Sequence, residues 1–198
     1  MERRISTAAA SLRASKSIRE RTLSGYAATF DAISQDLGGF KEIIRRGAFS
    51  RTLGDRDQVD ANINHAGGIE TLGSTRNDSL QLRQDTHGLH VQIRLPNTTA
   101  GRDAHELVRT GTLSKMSFAF SVHPDGDEWA ETPNGTLRTL TSVRLHDVSV
   151  VNTPAYESTE IQARGRIVTP DTETAFLKYR AQRARTELER IRRQCFGF

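Results

Sequence analysis

The chain has 198 residues, a formal net charge of +4, 35% apolar and 6% aromatic residues, and a single cysteine, Cys195. That length carries one well-cored domain with extensions, and the low apolar content points to one compact core with polar ends. One cysteine excludes a disulfide framework and a cysteine-rich zinc site, no apolar run reaches the length of a membrane span, and so small a charge does not by itself argue for a nucleic-acid partner.

Residues 1–10 carry early arginines and then small residues, without the apolar stretch of a signal peptide; they are read as a flexible N-terminus. Residues 11–30 form a hairpin whose second strand, Leu23–Phe30, places Tyr26, Ala28 and Phe30 on one face, with Gly25 marking a bulge or a close backbone approach. A turn at Asp36–Gly39 leads to a strand over Phe40–Ile44, and Arg46–Leu53 reads as a short helix ended by Gly54. Val59–His65 alternates as a strand with Val59, Ala61 and Ile63 inward. His65 stays in phase with them, and Ala66-Gly67-Gly68 breaks the strand. Glu70–Thr75 and Ser79–Arg83 are further strands, and Asp85–Gly88 is a hairpin turn. Leu89–Leu95 has the cleanest alternation in the chain, with His90, Gln92 and Arg94 on its polar face. His87 and His90 lack a third ligand nearby and are read as solvated, so no metal and no cofactor is expected. Thr99–Arg109 is a helix capped by Thr98 or Thr99 and closed by Gly111. Its buried stripe is Ala104, Leu107 and Val108, with His105 on the surface.

Gly111–Ser121 follows as a strand with Met116, Phe118 and Phe120 on one face and Lys115, Ser117, Ala119 and Ser121 on the other. Turns at 123–127 and 133–135 separate shorter strands. Ser142–Val151 then puts Val143, Leu145, Asp147 and Ser149 on one face and Arg144, His146, Val148 and Val150 on the other. An aspartate in phase with apolar neighbours needs a protonated histidine, a cation or backbone donors. Many short strands with two short helices predict a mainly β fold with α: a closed or half-closed antiparallel β-barrel over residues 11–160. Residues 161–171 are the linker. Residues 172–198 form an amphipathic C-terminal helix, with an apolar seam of Leu177, Ala181, Ala184, Leu188, Ile191 and Cys195 and arginines elsewhere; it is a docking helix or a removable tail.

A serine hydroxyl becomes a nucleophile only with a base in reach. Ser117, with His65 as base and Asp147 as the group that orients the imidazole, would complete such a set from separate strands. Serine, histidine and aspartate are common, so composition alone does not single out this triple.

The order of motifs adds weight. Gly25-Tyr26-Ala27-Ala28-Thr29-Phe30, Phe40-Lys41-Glu42 leading to Gly47-Ala48-Phe49, Asn64-His65 followed by Leu72-Gly73-Ser74, Gly88-Leu89-His90-Val91, Gly101-Arg102-Asp103-Ala104, Gly111-Thr112-Leu113, Ser117-Phe118-Ala119-Phe120 and Leu145-His146-Asp147-Val148-Ser149 through Ala155 together resemble the tailed-bacteriophage prohead (capsid maturation) serine proteases. The match runs from about residue 22 to 157. The resemblance implies a fold shared with the herpesvirus assembly proteases, a closed antiparallel β-barrel ringed by short helices, and a serine endopeptidase that cleaves the scaffolding part of the major capsid protein, and itself, inside the immature capsid in the host cytoplasm or in a prophage-bearing bacterium. It implies His65 as the catalytic histidine and Ser117 as the nucleophile. The third member is Asp147, where the family usually has Glu, or His146, since the herpesvirus enzymes use a second histidine; Ala119 stands where the family tends to have Gly. A homo-oligomer is possible on this reading, while a membrane is not expected and nucleic acid is disfavoured because no aromatic stacking platform accompanies the arginines of the tail. The rival reading is a non-catalytic capsid-assembly or scaffold protein that associates through its C-terminal helix.

Overall fold

Alternating apolar residues make two strands the centre of the molecule, Leu113–Val122 and Val143–Asn152, which pair antiparallel along their length. The computed structural model describes residues 1–5, 12–15, 21–152 and 170–196. In chain order the strands are β1 (Glu2–Ile5), β2 (Arg13–Ala14), β3 (Thr22–Thr29), β4 (Phe40–Ile44), β5 (Asp60–Ile63), β6 (Ala66–Ser74), β7 (Leu80–Gln84), β8 (Gly88–Arg94), β9 (Leu113–Val122), β10 (Asp127–Thr132), β11 (Gly135–Leu140) and β12 (Val143–Asn152). The helices are α1 (Ser50–Gly54), α2 (Thr99–Arg109) and α3 (Pro170–Phe196).

The expected mainly β fold with a few helices is present, but the described strands do not close into one antiparallel barrel. They form three sheets, in the orders β1-β9-β12-β5-β6, β10-β11-β4 and β2-β3-β8-β7. Two pairings, β12 with β5 and β11 with β4, are parallel. Alternation in a sequence reports which face a side chain takes, not which strand lies alongside. The first and third sheets share one apolar core, into which β3 and β8 send Leu23, Leu89, Val91 and Ile93, and β9 and β12 send Met116, Phe118, Phe120, Val148 and Val150.

Local signals place several elements well. Thr98 caps α2 by accepting the Gly101 N–H at 3.2 Å, and Gly101 is required there because a Cβ would lie 2.2 Å from the Pro96 carbonyl oxygen. The buried stripe of α2 differs from expectation: His105 is buried and Leu107 is 37% exposed. The His105 ring lies 2.9 Å from the Ser15 carbonyl oxygen, and that acceptor makes its burial tolerable. The α1 helix is shorter than expected, with residues 46–49 forming a turn before it. In β3 the register shift falls between Tyr26 and Ala28, just beyond Gly25.

Four of the residues expected in a flexible N-terminus lie in a strand. Glu2–Ile5 form β1, an antiparallel edge strand beside β9 with Glu2 opposite Phe120 and Ile5 opposite Ser117. Charge pairing holds it. Arg138, from β11, is 2% exposed and reaches Glu2 at 2.7 and 3.0 Å, Glu42 at 3.2 Å and Asp127 at 2.7 Å. Burial by itself would raise the Glu2 carboxyl, but the Arg138 and Arg4 guanidiniums outweigh it and hold the group below its ordinary range. Arg138→Met should destabilise the fold by about 3–5 kcal/mol, because it takes a buried guanidinium from Glu2, Glu42 and Asp127 and leaves Arg4 alone against Glu2 and Glu42; a denaturant melt measures the loss, and an unchanged midpoint would show that the cluster is dispensable.

At the other end, α3 lies against the β10-β11-β4 sheet by a different face from the predicted seam. Phe176 and Tyr179 each stack on Trp129 with ring centroids 5.6 Å apart, and Phe176 also meets Phe40 at 5.2 Å. Leu177 and Leu188 of the seam are 55% and 59% exposed. The expected linker lies, up to residue 169, outside the described residues, as does the end of the closing motif beyond Asn152.

Candidate active site

A β-bulge decides where the acidic residue points. Between Leu145 and Asp147 the register of β12 against β9 shifts, so that Leu145 faces Phe120 and Asp147 faces Ala119 with His146 as the extra residue. A bulge reverses the alternation beyond it. Val143 and Leu145 enter the core before the shift, and Val148 and Val150 after it. Asp147 therefore leaves the apolar face that simple alternation assigned to it. It joins Ser149 on the other side of the sheet, with Ser149 directly opposite Ser117.

His65 is delivered by a tight turn. Ile63 of β5 pairs with Ala66 of β6, so Asn64 and His65 are the two central residues of a hairpin, at φ +50° and +60°. The expected break at Ala66-Gly67-Gly68 thus falls inside β6, and the turn comes one step earlier. Positive φ at both central positions is the arrangement that favours Asn-Gly, and a histidine in the second place costs of order 1 kcal/mol. The neighbouring strand holds it there: the Asn64 N–H donates to the Val150 carbonyl at 3.1 Å, and the His65 N–H to Ser149 Oγ at 3.1 Å.

These elements bring three side chains into a line. His65 Nε2 is 2.6 Å from Ser117 Oγ, and His65 Nδ1 is 2.6 Å from Asp147 Oδ1. Ser117 is 1% exposed, and the side chains of His65 and Asp147 are 8% and 13% exposed. A carboxylate that accepts Nδ1–H leaves Nε2 free to take a hydroxyl proton. His146, the alternative third residue, is engaged elsewhere: its Nε2 lies 2.9 Å from Ser121 Oγ. Burial first, and then the Arg144 charge, keep its imidazole below the ordinary value.

Two further groups touch the line, and the reading of the sequence did not find them. Ser149 Oγ donates to Asp147 Oδ1 at 3.1 Å while accepting the His65 N–H. Its place two residues after Asp147 on a strand was the available signal. The Ser117 hydroxyl donates to the Arg4 carbonyl of β1 at 2.8 Å. No local motif marks that contact, because Arg4 and Ser117 are distant in sequence.

A buried hydroxyl, imidazole and carboxylate joined in that order are the arrangement of serine hydrolases, here carried by a mainly β frame. The chain belongs to the caudovirus prohead serine protease family, whose model matches residues 8–172. Among solved structures it is similar to the capsid assembly protease gp21 of bacteriophage T4, with 10% identity and a TM-score of 0.53 over 77% of this chain and 98% of that one. At that identity the likeness speaks for the fold. No curated protein sequence matches the chain.

Ser149 is expected to act as a positioning residue. Ser149→Ala removes the bond that steadies both Asp147 and the His65 backbone, so kcat for peptide hydrolysis should fall by about ten-fold, with KM little changed. Ser149→Thr, which keeps the hydroxyl, should recover most of the loss. An equal loss in both variants would assign Ser149 to packing alone.

Proposed function

We propose that the protein is a capsid-maturation serine endopeptidase, which cleaves the scaffolding part of the major capsid protein, and itself, inside the immature phage capsid in the host cytoplasm. The observation that carries this reading is the pair of 2.6 Å contacts that tie Ser117 to His65 and His65 to Asp147. Ser117 Oγ adds to the carbonyl carbon of the scissile bond while its proton passes to His65 Nε2. The C–N bond then breaks and that proton goes to the departing amine. Water attacks the ester that remains on Ser117, again through His65, and the acid product and the free hydroxyl are restored. Asp147 keeps Nδ1–H in place and stabilises the imidazolium formed in each half.

The family supports a capsid protein as substrate. Co-expression with the phage's capsid precursor is the direct test. The wild-type protein should release a shortened capsid protein, and the Ser117→Ala protein should leave the precursor whole. Processing retained by Ser117→Ala would favour the scaffold reading. Self-cleavage predicts that incubated wild-type protein loses mass at one end or both, while Ser117→Ala does not; identical intact masses would contradict it.

A further inference from the structure

The contact that the proposed mechanism does not use is the one between Ser117 and β1. A peptide carbonyl, that of Arg4, accepts the Ser117 hydroxyl at 2.8 Å. One hydroxyl proton cannot serve the Arg4 oxygen and His65 Nε2 together. While it is directed at Arg4 it is withheld from the base, and any peptide that reaches Ser117 must take the place of this strand. Short as it is, β1 lies antiparallel to β9 with its main chain in the sheet, which is the way an added peptide strand binds a sheet edge.

The Glu2 and Arg4 side chains of β1 enter a built site. The Arg4 guanidinium donates to both oxygens of Glu42, at 2.7 and 2.9 Å, and to Glu2 at 2.8 Å, and its Cζ lies 5.4 Å from the centre of the Phe120 ring. The Glu42 side chain is 2% exposed and the Arg4 side chain 10%. Two residues earlier, Glu2 accepts two bonds from Arg138, at 2.7 and 3.0 Å. With β1 withdrawn, the carboxylates of Glu42 and Asp127 would face one guanidinium, Arg138, leaving the site a net negative charge and a vacant bidentate acceptor. Ion pairs taken out of water contribute little net stability beside what they would cost if broken singly. A strand held chiefly by such pairs is exchangeable for another that restores them.

We infer that β1 sits in the substrate groove as an intramolecular blocking strand, and that Glu42 and Arg138 are specificity-determining residues, which select a peptide with a basic residue in the place of Arg4 and an acidic residue two positions before it. The inference rests on the protease reading above. The scissile bond of such a peptide follows the basic residue, whose carbonyl lies against Ser117. The basic position is the stronger determinant, because Arg138 keeps Glu42 and Asp127 when an acidic partner is missing, whereas Glu42 loses both of its bonds from Arg4 when the basic residue is missing.

Peptide binding to full-length protein tests this without relying on catalysis. A fluorescein-labelled peptide with the sequence of residues 1–8 is titrated by anisotropy against Ser117→Ala protein, and against the same protein with Glu2→Ala and Arg4→Ala added to loosen β1. The loosened protein should bind at least about ten-fold more tightly. Placing Arg4→Ala in the peptide should weaken binding by about ten-fold or more, and Glu2→Ala by less. Equal affinity of the two proteins, or indifference to both peptide changes, would overturn the inference. Hydrogen exchange on the Ser117→Ala protein guards against a folding defect in the loosened variant. Saturating peptide should speed exchange at residues 2–5, and unchanged protection there with peptide bound would overturn the inference as well. The expected binding, together with no hydrolysis by wild-type protein, would uphold the groove and remove the catalytic reading.

Discussion

Ser117→Ala will lower kcat/KM for cleavage of the capsid precursor by roughly 10⁴- to 10⁶-fold while leaving the fold intact. The hydroxyl oxygen is the only heavy atom lost, and its partners are His65 Nε2 and the Arg4 carbonyl. The stability change is that of a single hydrogen bond, about 1 kcal/mol, so a melt will scarcely move while activity disappears. His65→Ala should fall as far, and the double variant no further, because nucleophile and base act as one unit. The turn supplies a control. His65 occupies a positive-φ position, and His65→Gly relieves that strain by about 1 kcal/mol, offsetting part of the lost contact with Asp147. A dead enzyme of near wild-type stability is the expected outcome. Retained cleavage by Ser117→Ala, measured as product per enzyme, would refute the assignment.

Asp147→Asn should cost roughly 10⁴-fold in kcat, and His146→Gln no more than a few-fold. An asparagine amide can sit where the carboxylate sits, but it turns an N–H toward Nδ1 and favours the imidazole form that carries its proton on Nε2, where it cannot accept from Ser117. The imidazolium of the transition state also loses its counter-charge at 2.6 Å. His146 contacts Ser121, not His65, and its substitution leaves the line unbroken. Kinetics of the two variants on one peptide substrate settle the order; the reverse order would move the third role to His146.

The order of motifs singled out the residues of this line as a set, whereas strand alternation alone did not bring them together. Period-two alternation correctly separated Ser117 from Met116, Phe118 and Phe120, which are buried in the core. The same reasoning failed on β12, because one extra residue at position 146 reverses the faces and alternation has no means of showing it. At His65 the pattern pointed to a strand end before a glycine break. The chain instead turns on Asn64 and His65 themselves, a conformation maintained by bonds to Val150 and Ser149 from another strand. The N-terminus was illegible for a different reason. Glu2-Arg3-Arg4-Ile5 has no strand-like alternation of polarity, and Glu2 is buried and Arg4 half-buried because Arg138 and Glu42, remote in sequence, supply opposite charges. Helix α2 was legible because its cap lies beside it in the chain. Sheet order was not, since parallel pairings such as β5 with β12 are made by strands with most of the domain between them.

The most direct measurement is the mapping of a fluorophosphonate adduct by mass spectrometry after long exposure of the folded wild-type protein. A single adduct on Ser117 is predicted, formed at a rate that collapses in His65→Ala. Labelling spread over other serines, or an adduct on Ser117 that forms equally fast without His65, would mean that no base activates this hydroxyl.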